Sequence, residues 1–165
     1  MKRLLLALLL VLPLAPQVLA GPRPQLAAKN LPRGLRNSNP GNLRAKNERS
    51  WRHWRGAVGT DATGYLVFGR DLDGLRAMVL NLRAYNTKYG IDTVDQVIRR
   101  WARDIPEPSK VIYVRTVSKK LGVLPKTKID LQDPRLLVRL VRAIVYFENG
   151  KDPYSEATYK KVAQP

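Results

Sequence analysis

The chain has 165 residues, with 30 Lys and Arg against 13 Asp and Glu, a single histidine and no cysteine. Without cysteine it is neither a disulfide scaffold nor a thiolate enzyme, and one histidine offers little from which to build a zinc site. The formal charge of +17 leaves two kinds of polyanionic partner, nucleic acid or the polymers and lipid surfaces of a cell envelope.

The N-terminus bears on that choice. Lys2 and Arg3 precede an apolar run from Leu4 to Leu14, and Val18-Leu19-Ala20 places small residues at the first and third positions before Gly21. This is the three-part pattern of a secretory signal peptide over residues 1–20, and the run is short of the roughly 20 apolar residues that span a bilayer. An exported protein in the periplasm or outside the cell is expected, and removing Lys2 and Arg3 lowers its charge from +17 to +15. Export and the spread of basic residues along the whole chain favour an envelope partner over nucleic acid. A monomer is expected, and no motif calls for a cofactor or metal.

Residues 21–33 are rich in proline and basic residues and read as a linker. Residues 34–165 form one domain. Its first part, 34–50, is polar and irregular, and holds RNSNPGNLR (36–44). From Trp51 to Arg70 apolar and aromatic residues are interleaved with glycines, which predicts a small antiparallel hairpin turning at Asp61–Gly64.

Helices follow. Leu75, Met78, Val79, Leu82 and Tyr85 recur at helical spacing up to Gly90. Thr93 and Gln96 form a capping-box pattern ahead of Val94, Val97, Ile98 and Trp101, and Pro106 and Pro108 close that segment. A third helix is predicted over about Ser109–Leu121, stopped by Gly122. Asp133 and Pro134 start the best-defined one, with Leu136, Leu137, Leu140, Val141, Ile144 and Val145 as its apolar stripe and Gly150 as its end. The class is α+β, mainly helical with one small hairpin.

The end of that helix carries the candidate chemistry. Glu148 follows the apolar stretch Ala143–Phe147, at a helix C-terminus whose partial negative charge disfavours ionisation. Apolar surroundings act in the same direction, and a carboxylic acid that keeps its proton is what glycosidic cleavage requires. The plainer reading is a solvated residue at a helix end. Glu48, Asp61, Asp71 and Asp152 are candidates for a second carboxylate, and none has a comparably apolar setting. Lytic transglycosylases need a single glutamate, so a chain with one well-placed acid suits that chemistry. His53, between tryptophan and arginine in a polar loop, is a poor triad base. Asn37, Asn39 and Asn42 each offer one acceptor and two donors, suited either to sugar hydroxyl and acetamido groups or to the loop's own backbone. Aromatic residues such as Tyr113 suit stacking on sugars or, at helical spacing, a core.

RGLRNSNPGNLR, a following tryptophan, G-x-x-G-T-D and DGLRAM resemble a family of phage and prophage proteins with an RG-I/L-RNNNPGN-I/L-R signature. Its members are labelled virion structural proteins or lytic enzymes. The likeness continues through YGIDTVDQVIRRWA, Y-V-x-x-V-x-x-x-LGV and AIVYFENGKDPY, covering roughly residues 33–154. NPGNLR with its hairpin is also similar to flagellar-type glucosaminidases. AIVYFENGKDPYS is similar to the catalytic helix of lytic transglycosylases, with Asn149 where serine usually stands. The resemblance implies a lysozyme-like domain acting on peptidoglycan glycan strands, with Glu148 as acid and base. Asn37, Asn39, Asn42, Tyr113 and Asn149 would then hold the sugar. In those enzymes the glutamate precedes the loop, whereas here it follows, so the likeness implies circular permutation. WARDIPEPSK (101–110) departs from the family's WAPPxEN. The rival reading is a non-catalytic virion or envelope protein that binds peptidoglycan.

Overall fold

The computed structural model describes residues 30–47 and 49–164. The signal-peptide and most of the linker assignment, together with Glu48, lie outside the described residues. The described residues hold six helices, a two-stranded antiparallel sheet and a 3-10 turn at Ser50–His53, joined by loops. The helices are α1 (Arg33–Arg36), α2 (Asp71–Tyr89), α3 (Val94–Trp101), α4 (Glu107–Leu121), α5 (Pro134–Asn149) and α6 (Glu156–Ala163). The strands are β1 (Ala57–Thr60) and β2 (Leu66–Phe68). The chain is thus mainly helical α+β. None of the described helices is long and apolar enough to cross a membrane.

The helix boundaries follow local chemistry. Thr93 caps α3 by accepting from Gln96 N. Gln96 reaches back one residue further than a standard capping box, its Oε1 accepting from Asp92 N. The segment ends at Trp101, ahead of the prolines. Pro106 is instead the N-cap of α4, and Pro108 stands in its first turn, where the missing N–H costs nothing, so α4 begins at Glu107. Asp133 caps α5 through Arg135 N, Pro134 is its first residue and Gly150 closes it at φ +68°. Two elements were not visible in the sequence pattern. The short α1 lies in the stretch read as irregular, and α6 is capped by Ser155, whose hydroxyl accepts from Thr158 N.

The hairpin forms where predicted. Ala57 pairs with Phe68, Gly59 with Val67 and Thr60 with Leu66, with a bulge between Ala57 and Gly59. β2 buries Leu66 and Phe68 and lies on α2. Gly69 N, just past β2, bonds to Gly56 O, beside the hairpin's start.

α5 is the central element and packs on α1, α2, α4 and α6. Leu137, Leu140, Val141, Ile144 and Val145 from α5 meet Leu75, Met78 and Leu82 from α2 and Val114, Val117 and Leu121 from α4 in one buried cluster. Burying such side chains contributes about 1.5–3 kcal/mol apiece, so α5 is fixed on nearly all sides before its last turn is reached. Tyr159 and Val162 of α6 close the core from the C-terminal side, and Arg83 of α2 donates to Ala163 O at 2.7 Å. The outcome is a rigid platform that delivers the end of α5 to the asparagine loop.

Candidate functional site

The segment RNSNPGNLR is a folded turn anchored from inside. Asn39 is wholly buried and uses its whole amide within the protein: Nδ2 donates to Leu43 O and Leu66 O at 2.9 Å, and Oδ1 accepts from Leu43 N at 3.0 Å. These bonds tie the loop to β2. Asn37, also buried, donates to Asp61 Oδ2 at 2.8 Å, across to the hairpin turn, while its carbonyl accepts from Phe68 N. Ser38 and Asn42 adopt left-handed backbone conformations, φ +48° and +49°. Asn tolerates that region better than most residues because its short side chain bonds locally.

Two glycines let the loop settle. A Cβ on Gly74 of α2 would stand 2.0 Å from Ser38 O, so only glycine allows the loop to rest on that helix. A Cβ on Gly41 would lie 2.7 Å from the Trp101 ring and 2.8 Å from Met78, which places Trp101 directly against the turn.

From this seat Asn42 reaches Glu148. Its Nδ2 donates to Glu148 Oε2 at 2.9 Å, and Tyr113 of α4 donates its hydroxyl to Glu148 Oε1 at 2.9 Å. The Trp101 side chain and the charge of Arg33 also act on the same carboxyl group. Tyr113 is itself buried, with its ring stacked on Phe147 at 3.6 Å between centroids. Burial pushes the Glu148 carboxyl above its usual range, and the bonds from Asn42 and Tyr113, with Trp101 and the Arg33 charge, pull it back only in part. Burial, then the neighbouring Glu148, pushes the Tyr113 phenol well above its ordinary value, so it stays a donor. Glu148 keeps some accessible surface, whereas the Oδ1 of Asn42 is buried without a hydrogen-bond partner. The site therefore offers a carboxyl group inclined to hold a proton, donors fixed on both its oxygens, and an unmet acceptor beside it.

Of the six residues singled out in the sequence, Glu148, Asn42 and Tyr113 meet directly. Asn149 lies just behind them, buried, donating to Pro40 O at 2.8 Å and Val145 O at 2.9 Å. It fastens the turn to the end of α5. Asn37 and Asn39 stand one layer further back and shape the loop. Sequence reasoning missed Trp101 as a partner of Glu148, and also missed Arg33, whose guanidinium lies 3.5 Å over the Tyr65 ring. The single signal for Arg33 was its place at the head of the signature RGLRNSNPGNLR. Among the other acids considered, Asp61 lies on the hairpin turn. Partial burial would raise its pKa, but bonds from Tyr65 N, Asn37 and Thr63 outweigh that and hold it below its usual value. Asp152 is occupied by Arg142 at 3.0 Å and Tyr159 at 2.6 Å.

With that geometry in place, sequence comparison sets the chain among phage proteins. It is 30% identical over 131 residues to Protein P5 of Pseudoalteromonas phage PM2, a match that covers 78% of each chain, and it belongs to that protein's family. No family model matches the chain.

Proposed function

We propose that the protein cleaves the glycan strand of peptidoglycan, with Glu148 as acid and then base. The observation that carries this reading is the Glu148 carboxyl itself: raised by burial and gripped on both oxygens by Asn42 and Tyr113. In the first step its proton passes to the glycosidic oxygen as the bond to the anomeric carbon breaks, leaving positive charge on the sugar ring. The carboxylate so formed stabilises that charge, held in place by the Asn42 and Tyr113 donors. In the second step it takes a proton from the attacking hydroxyl, either the sugar's own, as in a lytic transglycosylase, or water, as in a muramidase. No step requires a cofactor, and one glutamate is enough for the transglycosylase route.

A mainly helical domain, with a hairpin after the asparagine loop and its acid at a helix end, suits a lysozyme-like arrangement in permuted order. The lead peptide read in residues 1–20 would deliver the enzyme to the envelope, and the positive charge suits an anionic wall. A second reading has one specific observation in its favour: both Glu148 oxygens already hold protein donors, as in a purely structural carboxyl group. On that reading the protein is a phage protein that binds peptidoglycan without cutting it. Incubation with purified sacculi separates the two. Release of muropeptides by the wild type and not by Glu148→Gln supports the enzyme, and sedimentation with sacculi without release supports the binder.

A further inference from the structure

A groove of about 320 Å³ lies on another side of α5, lined by Lys120, Arg139, Arg142, Ala143, Tyr146 and Asp152. Tyr146 and Glu148 are two residues apart on one helix and so point about 200° apart around its axis, which separates this groove from the site above. Three cations face one carboxylate, and that carboxylate is already paired with Arg142. Lys120 lies over the Tyr146 ring, its Nζ 3.9 Å from the centroid, and Tyr146 is 44% exposed. Arg139 donates to Leu121 O, which ties the turn after α4 to one end of the groove. On that turn Leu124 is 76% exposed, the most open of the large apolar side chains among the described residues, and the exposed Lys119, Lys120 and Lys126 lie within five residues of it in the chain.

We propose that this face docks on an anionic phospholipid surface, with a headgroup phosphate in the groove and Leu124 entering the acyl boundary. Cations alone would suit any polyanion. The leucine decides between them: a nucleic acid gains nothing from an exposed apolar side chain with exposed lysines near it in the chain, whereas a bilayer rewards both, together with an aromatic ring at headgroup depth. The surface stands independently of the Glu148 reading.

The test is flotation of the purified chain with vesicles of phosphatidylcholine alone or mixed with phosphatidylglycerol. Binding to the mixed vesicles only, weakening as salt rises, is expected. Each lysine near such a surface contributes about fivefold in affinity, so Lys119→Glu with Lys120→Glu lowers binding by at least about 25-fold. Leu124→Ser lowers it by at least about threefold, with thermal unfolding of these variants unchanged. Equal binding to neutral vesicles, or full binding by the double lysine variant, overturns the proposal. So does displacement by millimolar glycerol phosphate, which would mark a free-phosphate pocket. DNA retardation insensitive to Leu124→Ser, with vesicle binding equally insensitive, would mark a general polyanion site and overturn it as well.

Discussion

Asn42 and Glu148 are 106 positions apart in the chain, yet the amide of one donates to the carboxyl of the other at 2.9 Å. That bond joins the asparagine turn to the end of α5.

Glu148→Gln removes the titrating group and preserves the shape. The glutamine oxygen can accept from Asn42, and its amide can donate to a rotated Tyr113 hydroxyl. Loss of an acid–base residue costs about 10²–10⁴-fold in rate, so muropeptide release falls by about that factor. Stability moves the other way. Because the folded Glu148 carboxyl sits above its unfolded value, the folded state binds more protons over that interval. The Glu148 contribution to stability is therefore greatest below the ordinary glutamate pKa, falls as pH rises towards the raised value and levels off beyond it. The glutamine variant lacks that decline and unfolds at an equal or higher temperature at neutral pH. Thermal melts at pH 3 to 8 check this, and a variant that melts well below wild type at neutral pH contradicts it.

Tyr113→Phe keeps the ring on Phe147 and deletes the hydroxyl that holds Glu148 Oε1. Leaving the buried Glu148 Oε1 without this donor costs about 1–3 kcal/mol, so a stability loss of that size is expected from denaturant titration. The same bond lowers the Glu148 pKa. Without it, the alkaline limb of the pH–rate profile moves to higher pH, whereas a merely structural tyrosine would leave the limb in place.

Asn39→Ala strands Leu43 N and Leu66 O inside the protein, while Leu43 O keeps its bond from Leu66 N. With each of the two unmet groups costing about 1–3 kcal/mol, a loss of at least about 2 kcal/mol is expected. Urea unfolding measures it, and a loss below 1 kcal/mol would show that the turn does not depend on this amide.

Gly74→Ala drives a methyl group to 2.0 Å from Ser38 O. Overpacking of this kind costs about 1–3 kcal/mol, relieved only by shifting the turn. The shift carries Asn42 away from Glu148, so activity on sacculi drops more steeply than stability. A variant with full activity would show that the turn is not held by α2.

The sequence by itself determined the elements whose cause is local. Periodic apolar residues, the Thr93 and Asp133 caps and the stops at Gly90, Gly122 and Gly150 placed four helices to within a few residues. Alternation with glycines placed the hairpin. The apolar run before Glu148 already marked that carboxyl as unusual. Element boundaries near Pro106 and Pro108 were less legible, because proline both ends helices and begins them, and only the backbone around it shows which. Helix α6 had too few apolar positions to announce itself; what shows its place is burial of Tyr159 and Val162 against α2 and α5.

Tertiary structure alone decided how the asparagines divide their work. Their amides have the same chemistry, and nothing in RNSNPGNLR says which are spent on backbone and which face outward. Packing on Gly74 and Trp101 turned Asn39 inward to Leu43 and Leu66, turned Asn37 to Asp61, and left Asn42 with an amide on Glu148 and an unpaired oxygen. A hydrogen bond is a matter of a few tenths of an ångström in position, and across 106 residues that position is set by the shared core beneath both ends of it.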